Sequence, residues 1–253
     1  MVRYSVLGSG SCGNSYIFTY DNQSILIDAG YSLKQIKERL SNNGFDYDSI
    51  LALFLTHLHP DHAHAAGTFA RQTGKSVYVS PVAQLMCKNE IKKLNIPQEC
   101  NKVIDPSGGI EIGPFKVECF YTSHDSAGSV GYSIKAGDRQ FVIVTDTGHF
   151  NTEMVSYAQS ADVLFLESNY DEDMLAHGPY PAYLKKRVAS ERGHLSNNQA
   201  KEFLYLAGFG VNDKPVYLIH ISDNNNDVRL VQEVMKPFNA TVCAIGSSYK
   251  NEI

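Results

Sequence analysis

The sequence predicts an α/β (α+β) fold in which two β-rich halves, each flanked by helices, form two sheets packed face to face with the helices outside. Three observations point there. Ile25-Leu26-Ile27 runs into Asp28-Ala29-Gly30, and Val142-Ile143-Val144-Thr145 runs into Asp146-Thr147-Gly148, so an apolar strand ends in Asp-x-Gly once in each half. Short β-like runs alternate with helical stretches throughout. Histidines and aspartates fall where those runs stop, which brings strand ends of both halves to one edge. A chain of 253 residues can build one large core, so the expectation is one undivided domain over 1–253.

Strand-like runs at 2–7, 15–19 and 24–28 open the chain, followed by a helix from Leu33 to Leu40. The apolar run Ile50–Leu55 reads as a buried strand, and Pro60 suits the first position of a helix beyond it. Lys75–Val79 is a short strand, and Pro81 to about Leu94 is one helical stretch. Gly108-Gly109 and Gly137-Asp138 sit between alternating runs and read as hairpin turns. Helices near 151–159, 182–191, 196–208 and 227–236 interleave with strands at Asp162–Leu166, Val216–Ile219 and Thr241–Ala244.

With 43% hydrophobic and 19% charged residues the composition is that of a globular chain, and no run approaches the ~18 apolar residues of a membrane span. The first residues enter strand-like sequence without the zones of a signal peptide, which predicts a cytoplasmic location and no membrane association. The five cysteines, Cys12, Cys87, Cys100, Cys119 and Cys243, are odd in number and lack a CxxC pair, so they read as small buried apolar residues. A net charge of -5 argues against a generally basic nucleic-acid coat while leaving room for a local positive groove.

The densest chemistry is His57-Leu58-His59-Pro60-Asp61-His62-Ala63-His64, four of the nine histidines and a carboxylate directly after a buried strand. Strand side chains alternate faces, so His57 and His59 project together, while Asp61 and His62 point differently from the first helical turn. Imidazole nitrogens with carboxylate oxygens suit zinc, iron or manganese, and two metals fit this division. A histidine-rich surface loop would not follow so apolar a strand in step with its pleat. His64 lies beyond the ligand spacing and reads as exposed or supporting, as do His149 and His177.

Two metals need further ligands, and His124, Asp146 and His220 each follow an apolar strand-like run. His194 precedes Ser196-Asn197-Asn198-Gln199, an N-cap serine with glutamine three positions on, and so stands near a helix N-terminus where it can meet a phosphate or protonate a leaving group. The glycine- and serine-rich turn Ser9–Ser15 offers backbone N–H groups to an anion. Its Asn14, together with Ser196, is a candidate phosphate contact. Lys185, Lys186, Arg187 and Arg192 form the densest basic segment, able to follow a nucleic-acid backbone, and Tyr170, Tyr180 and Tyr183 are candidate stacking surfaces.

Through HxHxDH at His57, His59, Asp61 and His62, and the later motifs in order, the chain resembles the metallo-β-lactamase fold superfamily. Within it, Leu7-Gly8-Ser9-Gly10-Ser11-Cys12-Gly13-Asn14-Ser15, Glu167-Ser168-Asn169-Tyr170-Asp171, Gly193-His194-Leu195-Ser196-Asn197 and His220-Ile221-Ser222-Asp223-Asn224-Asn225 are similar to the small YycJ/WalJ-type metallohydrolases. The resemblance implies an αββα sandwich with two divalent ions (Zn, Mn or Fe). His57, His59 and His124 would hold one ion, Asp61, His62 and His220 the other, and Asp146 would bridge them. Asp28 would orient a ligand from behind. It further implies a phosphodiesterase acting on nucleic acid, a 5′-to-3′ DNA exonuclease linked to repair, whose nucleophile is a hydroxide held between the metals. Asp61 and Asp146 would be catalytic through the metals, with His194 assisting the leaving oxygen as in the Gly-His-Ser-Thr motif of ribonuclease Z. The family pattern has histidine where this chain has Tyr170 and tryptophan where it has Ala182. The rival readings are an RNA-processing or small-nucleotide phosphodiesterase, a thioester or lactone hydrolase of the same fold, and a metal-containing nucleic-acid-binding subunit without turnover. No obligate protein partner is indicated.

Overall fold

A computed structural model describes residues 1–253, the side chain of Val211 excepted. The first half runs β1 (Arg3–Gly8), β2 (Ser15–Tyr20), β3 (Gln23–Ile27), α1 (Leu33–Asn42), β4 (Ile50–Phe54), α2 (Pro60–Ala63), α3 (Ala66–Thr73), β5 (Ser76–Val79), α4 (Pro81–Met86), α5 (Lys88–Leu94) and β6 (Asn101–Val103). The second runs β7 (Ile110–Ile112), β8 (Phe115–Tyr121), β9 (Val130–Ala136), β10 (Arg139–Val144), α6 (Thr152–Ser160), β11 (Val163–Glu167), α7 (Glu172–His177), α8 (Ala182–Val188), α9 (Asn197–Leu206), β12 (Val216–Ile219), α10 (Val228–Val234), β13 (Ala240–Val242) and β14 (Tyr249–Glu252).

These strands form two seven-stranded sheets, β14-β1-β2-β3-β4-β5-β6 and β7-β8-β9-β10-β11-β12-β13. The echo between the halves extends to their whole plan. In each sheet the first four strands pair antiparallel, and the Asp-x-Gly strand, β3 or β10, begins the parallel run of four. Alternation then sorts the side chains. Ile25 and Ile27 of β3, with Phe141 and Ile143 of β10, enter the core between the sheets, whereas Leu26 meets α1 and α3 and Val142 and Val144 meet α6, α9 and α10. The result is the αββα layering.

Aromatic rings lock the sheets together: Tyr4 lies 5.1 Å from Phe141 and Phe18 5.6 Å from Phe165 between ring centroids, both edge-on. Truncating such a ring to alanine leaves a cavity costing about 3–5 kcal/mol. Near the functional edge the Tyr132 hydroxyl donates to the Leu55 carbonyl across the two sheets at 2.7 Å.

Several local expectations are corrected. The stretch 81–94 is two helices broken at Cys87, whose φ of -103° and ψ of 41° leave the helical region while its thiol faces the Ala127 carbonyl. Gly108-Gly109 joins the two sheets instead of closing a hairpin, and the neighbouring hairpin turn is Gly113-Pro114. Gly137-Asp138 does close the β9–β10 hairpin, with Gly137 at φ 62°. Helix 182–191 stops at Val188. The polar strand β14 was not legible as a strand; its backbone, paired with β1, holds it. Four cysteines are buried, but Cys12 is exposed on the β1–β2 turn. Among the described residues no helix is long and apolar enough to cross a membrane.

Candidate metal centre

Six strand ends deliver the chemistry to one edge. Asp28 follows β3, Thr56-His57 follow β4, His124 follows β8, Asp146 follows β10, Glu167 ends β11 and His220 follows β12. Pro60 opens α2 with His59 as its N-cap, which turns the chain so that Asp61 and His62 face back to the same edge. Asp28, Asp146 and His220 sit at φ values of 57°, 52° and 56°, the left-handed region that costs a non-glycine residue roughly 1–3 kcal/mol. Both Asp-x-Gly glycines permit close backbone approach. A Cβ on Gly30 would lie 1.7 Å from the Asp61 carbonyl oxygen, and one on Gly148 would lie 2.2 Å from that of Ser190.

The imidazoles are oriented from behind. His62 Nδ1 donates to Asp28 Oδ2 at 2.7 Å, His57 Nδ1 lies 3.1 Å from Thr56 Oγ1, and His124 Nδ1 donates to the Gly193 carbonyl at 2.9 Å. Thr56 is itself fixed, since its N–H and hydroxyl both donate to Asp28 at 2.8 Å. In its neutral form each of these three rings therefore turns an Nε2 lone pair toward the shared space. His59 is reversed: its Nδ1 lies 3.1 Å from His57 Nε2 and 3.3 Å from His124 Nε2.

Four overlapping groups result, each with one ligand atom per residue within 4.8 Å of the others: His57/His59/His124, Asp61/His62/His220, His57/His62/Asp146 and Asp146/Glu167/His194/His220, the first two sharing no residue. Asp146 stands between these first two, Oδ2 3.2 Å from His62 Nε2 and Oδ1 3.6 Å from both His124 and His220 Nε2. Burial lowers the pKa of His57, His59 and His124, keeping them neutral as metal ligands require. Burial also opposes charge on His62 and His220, but the carboxylates, Asp146 foremost, push both upward. Asp146 is driven well below the usual carboxylate range against its burial by His220 and His62. The donor set fits divalent cations, and one atom requires a partner: His220 Nε2 is buried and has no hydrogen bond.

A cleft of about 290 Å³ opens over this edge, lined by His59, Asp61, His124, Asp146, His194 and His220 together with Ser11, Tyr180, Leu184 and Arg187. His194 sits two residues before Ser196, the N-cap of α9, and donates from Nδ1 to Glu167 Oε1 at 2.6 Å, leaving Nε2 without a hydrogen bond among the described residues.

Two phosphate candidates lie behind the cleft and not on it. Ser196 is buried with its hydroxyl accepting from Gln199 N as the α9 cap, and Asn14 is buried with Nδ2 2.9 Å from His62 Nε2. The 9–15 turn directs its N–H groups inward: Gly10 N donates to Asn14 Oδ1, Gly13 N to the Gly10 carbonyl and Asn14 N to the Asp61 carbonyl. Tyr170 is 5% exposed and offers no stacking face, whereas Tyr180 lines the cleft and Tyr183 is exposed. His64, His149 and His177 are all exposed. Sequence reasoning assigned no role to Glu167, Thr56, Asn169 or Asp125. Glu167 carried a readable signal, an apolar run ending in a carboxylate like those of Asp28 and Asp146.

A family model described as a β-lactamase superfamily domain matches residues 23–221. The chain is 33% identical to exodeoxyribonuclease WalJ of Streptococcus pneumoniae over 92% of its own length and 86% of that protein's. It is 32% identical to exodeoxyribonuclease YycJ of Bacillus anthracis, covering 89% and 84% of the two chains. Among solved structures, the metallo-β-lactamase fold protein YhfI of Bacillus subtilis superposes with a TM-score of 0.72 at 20% identity, over 99% of each chain.

Proposed function

The chain belongs to the metallo-β-lactamase-fold superfamily, within it to the WalJ/YycJ type, and from that premise we propose that it is a cytoplasmic 5′-to-3′ DNA exonuclease with a dinuclear centre, serving DNA repair. It is a metal-dependent hydrolase. The observation that carries the finer reading is the convergence of two three-residue donor groups, with Asp146 between them, on one open cleft. Residues 1–253 act as one unit in this reading, since the ligands come from both sheets.

His57, His59 and His124 would hold one ion, Asp61, His62 and His220 the second, and Asp146 both. Bound there, two divalent ions of zinc, manganese or iron would supply Lewis acidity toward a water nucleophile and toward charge on the phosphoryl oxygens. The residues do the rest. Asp28 and Thr56 hold the ligand tautomers, and the cleft wall of Tyr180, Leu184 and Arg187 confines the nucleotide being removed. As the attacking oxygen bonds to phosphorus and the phosphorus–oxygen ester bond breaks, His194 Nε2 passes a proton to the departing oxygen. Glu167, buried and bonded to Nδ1, fixes the orientation of that ring.

The test is degradation of 5′-labelled and 3′-labelled single- and double-stranded DNA, with matched RNA, by the Mn²⁺- or Zn²⁺-loaded protein and its Asp61→Ala variant. Mononucleotide release from DNA 5′ ends, abolished in the variant, is the expected result. Faster turnover of RNA, or cleavage only of small phosphodiesters or thioesters, overturns the DNA reading.

A further inference from the structure

Four cations fall between residues 185 and 192, and the fold gives them different roles. Lys185 Nζ is bound to the Ala176 carbonyl at 2.7 Å, and Arg192 Nε donates to the His124 carbonyl at 3.2 Å. Lys186 is exposed, and Arg187 alone of the four lines the cleft. Its Nε donates to Asp125 Oδ2, and among the described residues neither terminal guanidinium nitrogen has a hydrogen-bond partner. Asp125 looks two ways. Its Oδ1 lies 3.4 Å from His59 Nε2 and 3.4 Å from His124 Nε2, so one carboxylate touches two members of the first donor group and the arginine over the cleft.

We propose that Arg187 seats a phosphate of the substrate beside the metal ligands, and that Asp125 is the positioning residue that aims it. This rests on the nuclease reading above and identifies which side chain recognises the backbone. A guanidinium anchored through Nε presents its two remaining nitrogens as a rigid fork, the geometry that binds phosphate in bidentate fashion. Lysine would keep the charge and lose both the anchor and the fork. Placing the anchor on the carboxylate next to His59 and His124 fixes the distance between the seated phosphate and the first donor group, which is what in-line attack requires.

The experiment measures binding of a fluorescein-labelled, nuclease-resistant phosphorothioate single strand to the metal-loaded protein by anisotropy at several salt concentrations. Metal content and steady-state kinetics are measured alongside. Arg187→Ala should weaken binding about tenfold or more and reduce the salt slope by about 0.7. Arg187→Lys should restore the slope but not the affinity. Asp125→Asn should raise KM with metal content equal to the parent's, and should add nothing in the Arg187→Ala background. The proposal is overturned if Arg187→Ala binds with the parent's affinity and slope, if Asp125→Asn loses metal, which would make Asp125 a ligand, or if the two effects multiply. A parent protein that neither binds nor cleaves an oligonucleotide removes the nuclease reading itself; a parent that cleaves while Arg187→Ala binds unchanged removes only this assignment.

Discussion

Replacing Asp28 by asparagine tests how the centre is held from behind, because it alters one atom and leaves the backbone alone. Asparagine tolerates the left-handed conformation at φ 57°, so the turn is kept. The carboxylate accepts three hydrogen bonds at 2.7–2.8 Å, from Thr56 N, Thr56 Oγ1 and His62 Nδ1. In the amide, Oδ1 still serves Thr56 N, but an NH₂ group now faces His62 Nδ1. To avoid two opposed donors, the neutral ring that would take a metal must carry its one proton on Nε2, the atom 3.2 Å from Asp146 Oδ2 where a cation would bind. Loss of such a supporting partner weakens metal affinity roughly 10–100-fold, about 1.4–2.8 kcal/mol. The effect should be graded: competition against a chromophoric chelator should show the Asp61/His62/His220 equivalent weakened most, and the His57/His59/His124 equivalent weakened less, because Asp28 reaches His57 only through the Thr56 hydroxyl. Two equivalents with unchanged affinity would refute the tautomer argument, and equal weakening of both would refute the division into two groups.

Three further outcomes are expected. His220→Asn and His220→Ala should both lose one metal equivalent, but at φ 56° alanine carries about 1 kcal/mol more backbone strain, so denaturant unfolding should find it the less stable; equal stabilities would count against strain at this position. Gly30→Ala should lower metal affinity without touching a ligand, because the new methyl would overlap the Asp61 carbonyl, and retention of the parent's affinity would show that the 59–62 segment yields freely. Metal loading near pH 7.5 should release at least one proton, because in the metal-free chain carboxylates raise His62 to about 10 against its burial, so that it is protonated at this pH and a cation must displace the proton; they push His220 upward as well. Affinity therefore falls as pH falls; calorimetric heats independent of the buffer's ionisation enthalpy would contradict this.

Much of the edge was legible because its signals are local. An apolar run stopping at a histidine or aspartate marks a strand end, and HxHxDH holds four candidate ligands within six residues, so the convergence of His57, His59, Asp61, His62, His124, Asp146 and His220 on one edge could be expected before any contact was known. The Asp-x-Gly echo likewise anticipated two sheets of one plan, because a period-two pattern feeding a turn repeats visibly in the chain. Local signals failed where several partners compete for one residue. Ser196 and Asn14 have the chemistry of phosphate contacts, yet the cap of α9 and the packing of the 9–15 turn against His62 consume it. Cys87 breaks a helix with no glycine or proline to announce it, because its thiol is drawn to the Ala127 loop.

By itself, then, the sequence determined the apolar strands, the alternation of their faces and the candidate ligand types at their ends, all of which depend on neighbours a few residues away, but not the polar strand β14. Only the tertiary structure decided which ring nitrogen faces the metal space, that Glu167 supports His194 from 27 residues away, and that Asp125 joins Arg187 to His59 across separations of 62 and 66 positions. Such contacts are set by how strand ends, loops and helices meet at one edge, within the second half and between the two sheets, and a pairing that long leaves no periodic trace in the chain that makes it.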